Sequence, residues 1–203
     1  RRGFLIPLWN VYRFFVTYAN LDGWSPSNIS DDYKDDQGFD PRYPEGVTLS
    51  SENLLDRWIS ARLNQVVAIV TRKIEDSDPF GATLAMESLL DDLTNWFVRR
   101  SRRRFWKSEH DADKHAAYET LHHVLVKFTK LLAPFIPFVT EIMYQNLVCS
   151  VYPQAYQSIH HCSWPTADDA AVDDSLLEQM ALARQIASLG LSARNSAGWK
   201  VRQ

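Results

Sequence analysis

The residues best equipped for chemistry are concentrated between Asn95 and Trp106. This stretch, NWFVRRSRRRFW, carries five arginines in twelve residues, framed by tryptophan and phenylalanine. A guanidinium is permanently charged, offers a planar fork of donors that matches phosphate or carboxylate, and stacks on rings. Such a run suits contact with a polyanion. It equally suits ion pairs with the chain's own acids. The net charge of −3 does not oppose the first use, because a local patch and not the total decides it.

No other group of residues carries a catalytic signature. The seven glycines form neither a GxGxxG nor a GxxxxGK phosphate loop. His160, His161 and Cys162 are adjacent, but neighbours in sequence rarely ligate one metal, and no CxxC or HxxxH pair accompanies them. His122 and His123 fall on a helical segment, where His122 is expected to border the core and His123 to face away from it. Asp31, Asp32, Asp35, Asp36 and Asp40 are cation ligands by type. Their spacing lacks the glycine and terminal glutamate of a calcium loop, so they read as a solvated segment. No catalytic residue and no metal ligand is assigned.

The elements that position the arginines follow from hydrophobic spacing. With 45% apolar and 23% charged residues the chain can bury a sizeable core. Its two cysteines, Cys149 and Cys162, suggest an intracellular, cytoplasmic protein without a disulfide framework. A first helix is expected over about Leu5 to Ala19. It is apolar on most sides, hence central, and too short for the roughly 20 residues of a membrane span. Residues 21–49 form a long loop or insertion rich in Gly, Pro and Asp. A second helix starts after Ser50 to Asn53 and carries Leu54, Leu55, Trp58, Ile59, Leu63, Val66, Val67, Val70 and Ile74 at helical spacing. Ser77-Asp78-Pro79 closes it and opens a third, expected from about Phe80 to Lys107. The fourth shows Leu121, Val124, Leu125, Phe128, Leu131 and Leu132. The fifth, after Pro134 and Pro137, is expected to turn Phe138, Val139, Ile142, Met143 and Leu147 inward. The sixth runs from about Asp173 to Ala193. The fold class is all-α, a bundle of about six helices with a long acidic loop after the first, in one domain over 1–203. The start at Arg1 and the end at Gln203, without a helix stop, suggest a piece of a longer protein, with 171–203 leading toward a further C-terminal region.

Along the third helix, Met86, Leu90, Leu93 and Phe97 step by three or four onto one face. Continued, the same stepping reaches Arg100 and Arg104, with Trp96 and Lys107 on the flank. A buried row of unpaired arginines is too costly to persist. The expectation is that the helix outruns the core here, and that the arginines either meet phosphates or pair with acids such as Glu109, Asp111 or Glu141.

Several stretches together resemble one family. LIPLWNVYRFFVTYANLDGW (Leu5 to Trp24), LDRWISARLN (Leu55 to Asn64), NWFVRRSRRRFW, LLAPFIPFVTEIMYQNL (Leu131 to Leu147), SIHHCSWP (Ser158 to Pro165) and GWKVRQ (Gly198 to Gln203) are similar, in order, to the helical anticodon-binding part of isoleucyl-tRNA synthetases, class I aminoacyl-tRNA synthetases. Single pieces are shared with valyl and leucyl relatives. The resemblance implies a parent enzyme that joins isoleucine to tRNA(Ile) with ATP and magnesium, through catalytic and editing parts whose HIGH-type and KMSKS-type signatures do not occur in these residues. This piece is then non-catalytic, needs no cofactor of its own, and has as partners tRNA(Ile) and the catalytic and C-terminal domains of the same chain, with no membrane. The implied tRNA-binding set is Arg99, Arg100, Arg103 and Arg104, with Lys107 and Trp96 beside them. Trp96 and Trp106 are expected to pack and not to serve as base platforms. The competing readings are the same domain of a valyl enzyme, or a non-enzymatic helical adaptor whose basic stripe meets an acidic partner.

Overall fold

The computed structural model describes residues 3–26, 51–107, 109, 111–152 and 155–199. Among them there are six helices and no strand. α1 spans Leu5–Asp22, α2 Leu54–Glu75, α4 Ala112–Leu132 and α6 Asp174–Ser196. α3 is one continuous helix built of an α segment Pro79–Asp91, a π-helical turn Asp92–Val98 and a second α segment Arg99–Trp106. α5 likewise joins an α segment Pro137–Tyr144 to a π turn Gln145–Cys149. Short 3-10 turns at Ile159–His161 and Asp169–Ala171 punctuate the irregular connection into α6. Most of the acidic stretch expected as a loop over 21–49 lies outside the described residues. Leu21 and Asp22 belong to α1, which ends at Gly23 in the left-handed region with φ 63°, a conformation that glycine adopts without Cβ strain.

Local chemistry sets the helix starts. Asn53, Asp78, Asp111 and Asp173 each cap a helix by accepting from an amide of its first turn, at Leu55, Gly81, Lys114 and Leu176. Pro79 follows its cap directly, where a missing N–H costs no helical bond.

The core is one cluster. α2 lies against α3, and α4 packs on α1, α2, the end of α3 and α5. The central helix is α4, not α1 as the sequence suggests. Lys114, Thr120, His122, His123 and Thr129 are all buried along with its apolar residues, so its polar content masks its position. α1 buries only Leu8, Val11, Tyr12, Phe15 and Ala19, and leaves Ile6, Trp9 and Leu21 exposed. His123 is buried rather than turned away. In α5 the inward set is Thr140, Met143, Tyr144, Leu147 and Val148, whereas Phe138 and Ile142 face out. In this short helix a polar residue, Thr140, is buried while apolar Phe138 and Ile142 are exposed, so hydrophobicity alone misplaces its inner side.

The π turn corrects the expected geometry of α3. A wide turn takes up an extra residue, so positions after it lag behind an α-helical count. The buried face therefore runs Leu93, Phe97, Ser101 and Phe105, each four residues on, and the core reaches the end of the helix. The helix does not outrun it, and Arg100 is not a continuation of the core stripe.

Candidate nucleic-acid interface

Phe105 locks the end of α3 in place. Its ring meets Phe14 of α1 at 5.2 Å and Tyr118 of α4 at 4.9 Å, both edge-on. With Ser101 and Phe105 turned inward, the other residues of the Arg99–Trp106 segment sort into three environments.

Arg104 turns into the bundle end. Its two terminal nitrogens donate to the two carboxylate oxygens of Asp56, at 2.6 and 2.7 Å, and the side chain also reaches the Asp113 carboxylate at 2.8 Å and its carbonyl at 2.9 Å. Asp56 is fully buried and also accepts from the Ser51 hydroxyl at 2.6 Å. Burial opposes the charge of Arg104, but the bonds to Asp56 and Asp113 outweigh it and raise its pKa. Lys107 extends this cluster, with Nζ 2.6 Å from Asp111 and 3.3 Å from Asp113. Its pKa is raised chiefly by the hydrogen bond to Asp111, which in turn holds the Asp111 carboxyl below its usual range. Buried Lys114 bonds the Lys107 carbonyl at 2.7 Å and Asp22 at 2.6 Å, tying in the end of α1.

Arg100 occupies the second environment. Its guanidinium carbon stands 3.6 Å from the centre of the Trp96 ring, a close cation–π stack. Trp96 is half-buried and donates from Nε1 to the Met180 sulfur of α6 at 3.1 Å. Arg184 of α6 lies 5.7 Å from the same ring and pairs with Asp91 at 3.1 Å and, more closely, with buried Asp92, which also receives Arg62 Nε at 2.8 Å.

The third environment is solvent. Arg99, Arg102, Arg103 and Trp106 stand at i, i+3, i+4 and i+7, hence on one face, and all are exposed. Among the described residues no carboxylate pairs with these three arginines and no ring or donor engages Trp106. The structure thus brings Arg99 and Arg103 of the expected set together on an open surface and holds Arg100 beside them on Trp96. It leaves Arg104 and Lys107 committed to internal acids. Arg102 lies on the face that Arg99 and Arg103 share, and the sequence stepping did not reach it because it followed the opposite, inward side of the helix. Trp106, expected to pack, is 56% exposed. Asp56 had no sequence signal as the partner of Arg104, since the two are 48 positions apart. Glu141, offered as a partner for the arginines, instead accepts from Gln145, Ser158 and the Ile159 amide.

The fold is thus an all-helical bundle whose third helix presents an arginine face that no described carboxylate neutralises, and the sequence comparison gives its family. Residues 56–203 match the family described as the anticodon-binding domain of tRNA ligase, and the chain belongs to that family. Across its full length it is 47% identical to an isoleucine–tRNA ligase of Dehalococcoides mccartyi and 44% identical to one of Clostridium acetobutylicum. Over 99% of its length it is 42% identical to an isoleucine–tRNA ligase of Thermus thermophilus. The chain spans 18% of the length of each of these relatives.

Proposed function

We propose that this chain is the domain of an isoleucine–tRNA ligase that grips the anticodon stem-loop of tRNA(Ile), and that the surface doing so is Arg99, Arg102 and Arg103 with Arg100 at its border. The observation that carries the placement is the absence, among the described residues, of any carboxylate pairing with three arginines on one helix face. Arginines kept for ion pairs look like Arg104; arginines kept for a polyanion stay unneutralised. The isoleucine-type relatives favour this enzyme over the valyl alternative. α1 precedes the family match, yet Leu8, Val11, Tyr12 and Phe15 belong to the same core cluster, which supports taking residues 1–203 as one domain.

In this reading the domain supplies affinity and register through phosphates, while unpaired loop bases are read by stacking and edge hydrogen bonds. Arg104 and Lys107 act at one remove, by fixing the helix end that carries the binding face. Isoleucine activation with ATP and magnesium belongs to the remainder of the parent enzyme. The described residues hold no group of three His, Cys, Asp or Glu side chains placed to bind a metal ion, and no step of that reaction is assigned to this chain. No described helix is long and apolar enough to cross a membrane.

The test is the salt dependence of binding to a tRNA(Ile) transcript. Each of Arg99→Gln, Arg102→Gln and Arg103→Gln should reduce the slope of log K against log salt by about 0.7–0.9. Arg104→Gln should lower thermal stability and leave the slope nearly unchanged. The reverse pattern would overturn the assignment.

A further inference from the structure

We propose that Trp106 is a stacking platform for one unpaired base of a single-stranded RNA segment whose phosphates lie on Arg99, Arg102 and Arg103. This rests on the RNA-binding reading above and adds to it the residue on which an unpaired base stacks.

Most of the other tryptophans are engaged within the bundle. Trp58 is buried, Trp24 stacks on Tyr118 at 5.3 Å, Trp164 donates to the Thr71 hydroxyl at 2.8 Å, and Trp96 lies under Arg100. Trp9 meets Tyr12 at 4.9 Å, whereas Trp199, beyond α6, is 69% exposed and its ring has no partner among the described residues. The Trp106 ring likewise has no partner among the described residues, but it closes a helix whose preceding residue, Phe105, is only 1% exposed and well packed, and it shares a face with three arginines that no described carboxylate pairs. The position of Trp106 is therefore fixed while its ring is left open to solvent. An indole held out on a rigid helix end loses little conformational freedom when something stacks on it.

The neighbours decide what that is. Arg102 and Arg103 precede Trp106 by four and three residues, so they share its helix face. An apolar protein surface would have to neutralise or desolvate these cations. A nucleotide satisfies both, with phosphate on the guanidinium and base on the indole. Base–aromatic stacking beside a cationic track is the way sequence-tolerant single-strand binders work. A duplex presents no free base face to the ring, so the pairing of platform and track selects unpaired loop nucleotides.

The experiment uses the 203-residue chain with a tRNA(Ile) transcript, its isolated anticodon stem-loop, and a duplex RNA of equal length, each titrated at several salt concentrations. Trp106→Ala should weaken binding of the first two by roughly 5- to 100-fold, with the salt slope unchanged because no cation is lost. Trp106→Phe should recover most of the affinity, and the duplex should respond to neither change. Circular dichroism verifies that both variants fold, as expected for an exposed position. If Trp106→Ala binds tRNA like the parent chain while the arginine variants lower the slope, the platform is wrong and the RNA face stands; the ring then belongs to a protein neighbour. If neither tryptophan nor arginine variants alter binding or slope, the RNA face itself fails, and the platform with it.

Discussion

At the scale of single residues, the arginine-rich segment divides by what each side chain faces. Arg104 and Arg103 are neighbours in sequence, yet one is enclosed by Asp56 and Asp113 and the other stands in water. The difference matters energetically because Asp56 is fully buried. Asp56→Ala strands a guanidinium that is only 11% exposed, and should destabilise the chain by about 3–5 kcal/mol, read as a lower midpoint in urea. A loss below about 1 kcal/mol would show that Asp113 alone suffices for Arg104. Nothing in the sequence separates these arginines. Their partners come from helices distant in the chain, and only the assembled bundle end puts Asp56 within reach.

At the scale of elements, helix existence was legible and helix phase was not. The starts of α2 at Asn53 and of α3 at Asp78-Pro79 and the stripes of α2 and α4 can be read directly, because spacing and capping are local. The π turn of α3 has no such local mark, and it rotates every residue after it relative to an α-helical count. This is why Arg102 and Trp106 share the open face while Ser101 and Phe105 take the core. The docking of α6 was equally hidden. It depends on Leu176 and Met180 in the core and on Arg184 meeting Asp91 and Asp92. Arg184→Met removes the charged contact but leaves Asp92 paired with Arg62. Amides of residues 178–184 should then exchange about tenfold faster, matching the roughly 1.5 kcal/mol of a hydrogen bond to a charged group. Exchange within α4 should not change. An equal acceleration in both helices would mean that α6 is not a separately opening unit.

At the scale of the whole molecule, acid sensitivity follows from the centre of the bundle. His122 donates from Nε2 to the Leu147 carbonyl at 2.9 Å, and burial pushes its pKa down to about 4. Burial, with Lys127 and His122 nearby, pushes His123 down to about 3. Both folded values lie below the ordinary 6.5, so the unfolded chain takes up these protons first. Stability is therefore unaffected above about pH 7 and is lost as pH falls from about 6.5 toward 4, with a slope approaching about 1.4 kcal/mol per pH unit for each histidine. Asp111 and Asp113, held low by their cationic partners, contribute their loss only below the usual carboxylate range. Denaturant midpoints between pH 7 and 4.5 check the prediction, and a flat profile would contradict it.

The last helix carries a mechanical consequence. Leu176, Met180 and Arg184 fasten its first half, whereas residues 185–196 are exposed throughout. Those residues form a lever arm about 18 Å long, from 1.5 Å of rise per residue. A rotation of about 10° at the Asp92 fulcrum would sweep its tip by roughly 3 Å on that same rise. The fulcrum also braces Trp96 and, through it, Arg100. A small reorientation of the Arg100 guanidinium and a large displacement at the far end of α6 would thus be geared to the same contacts.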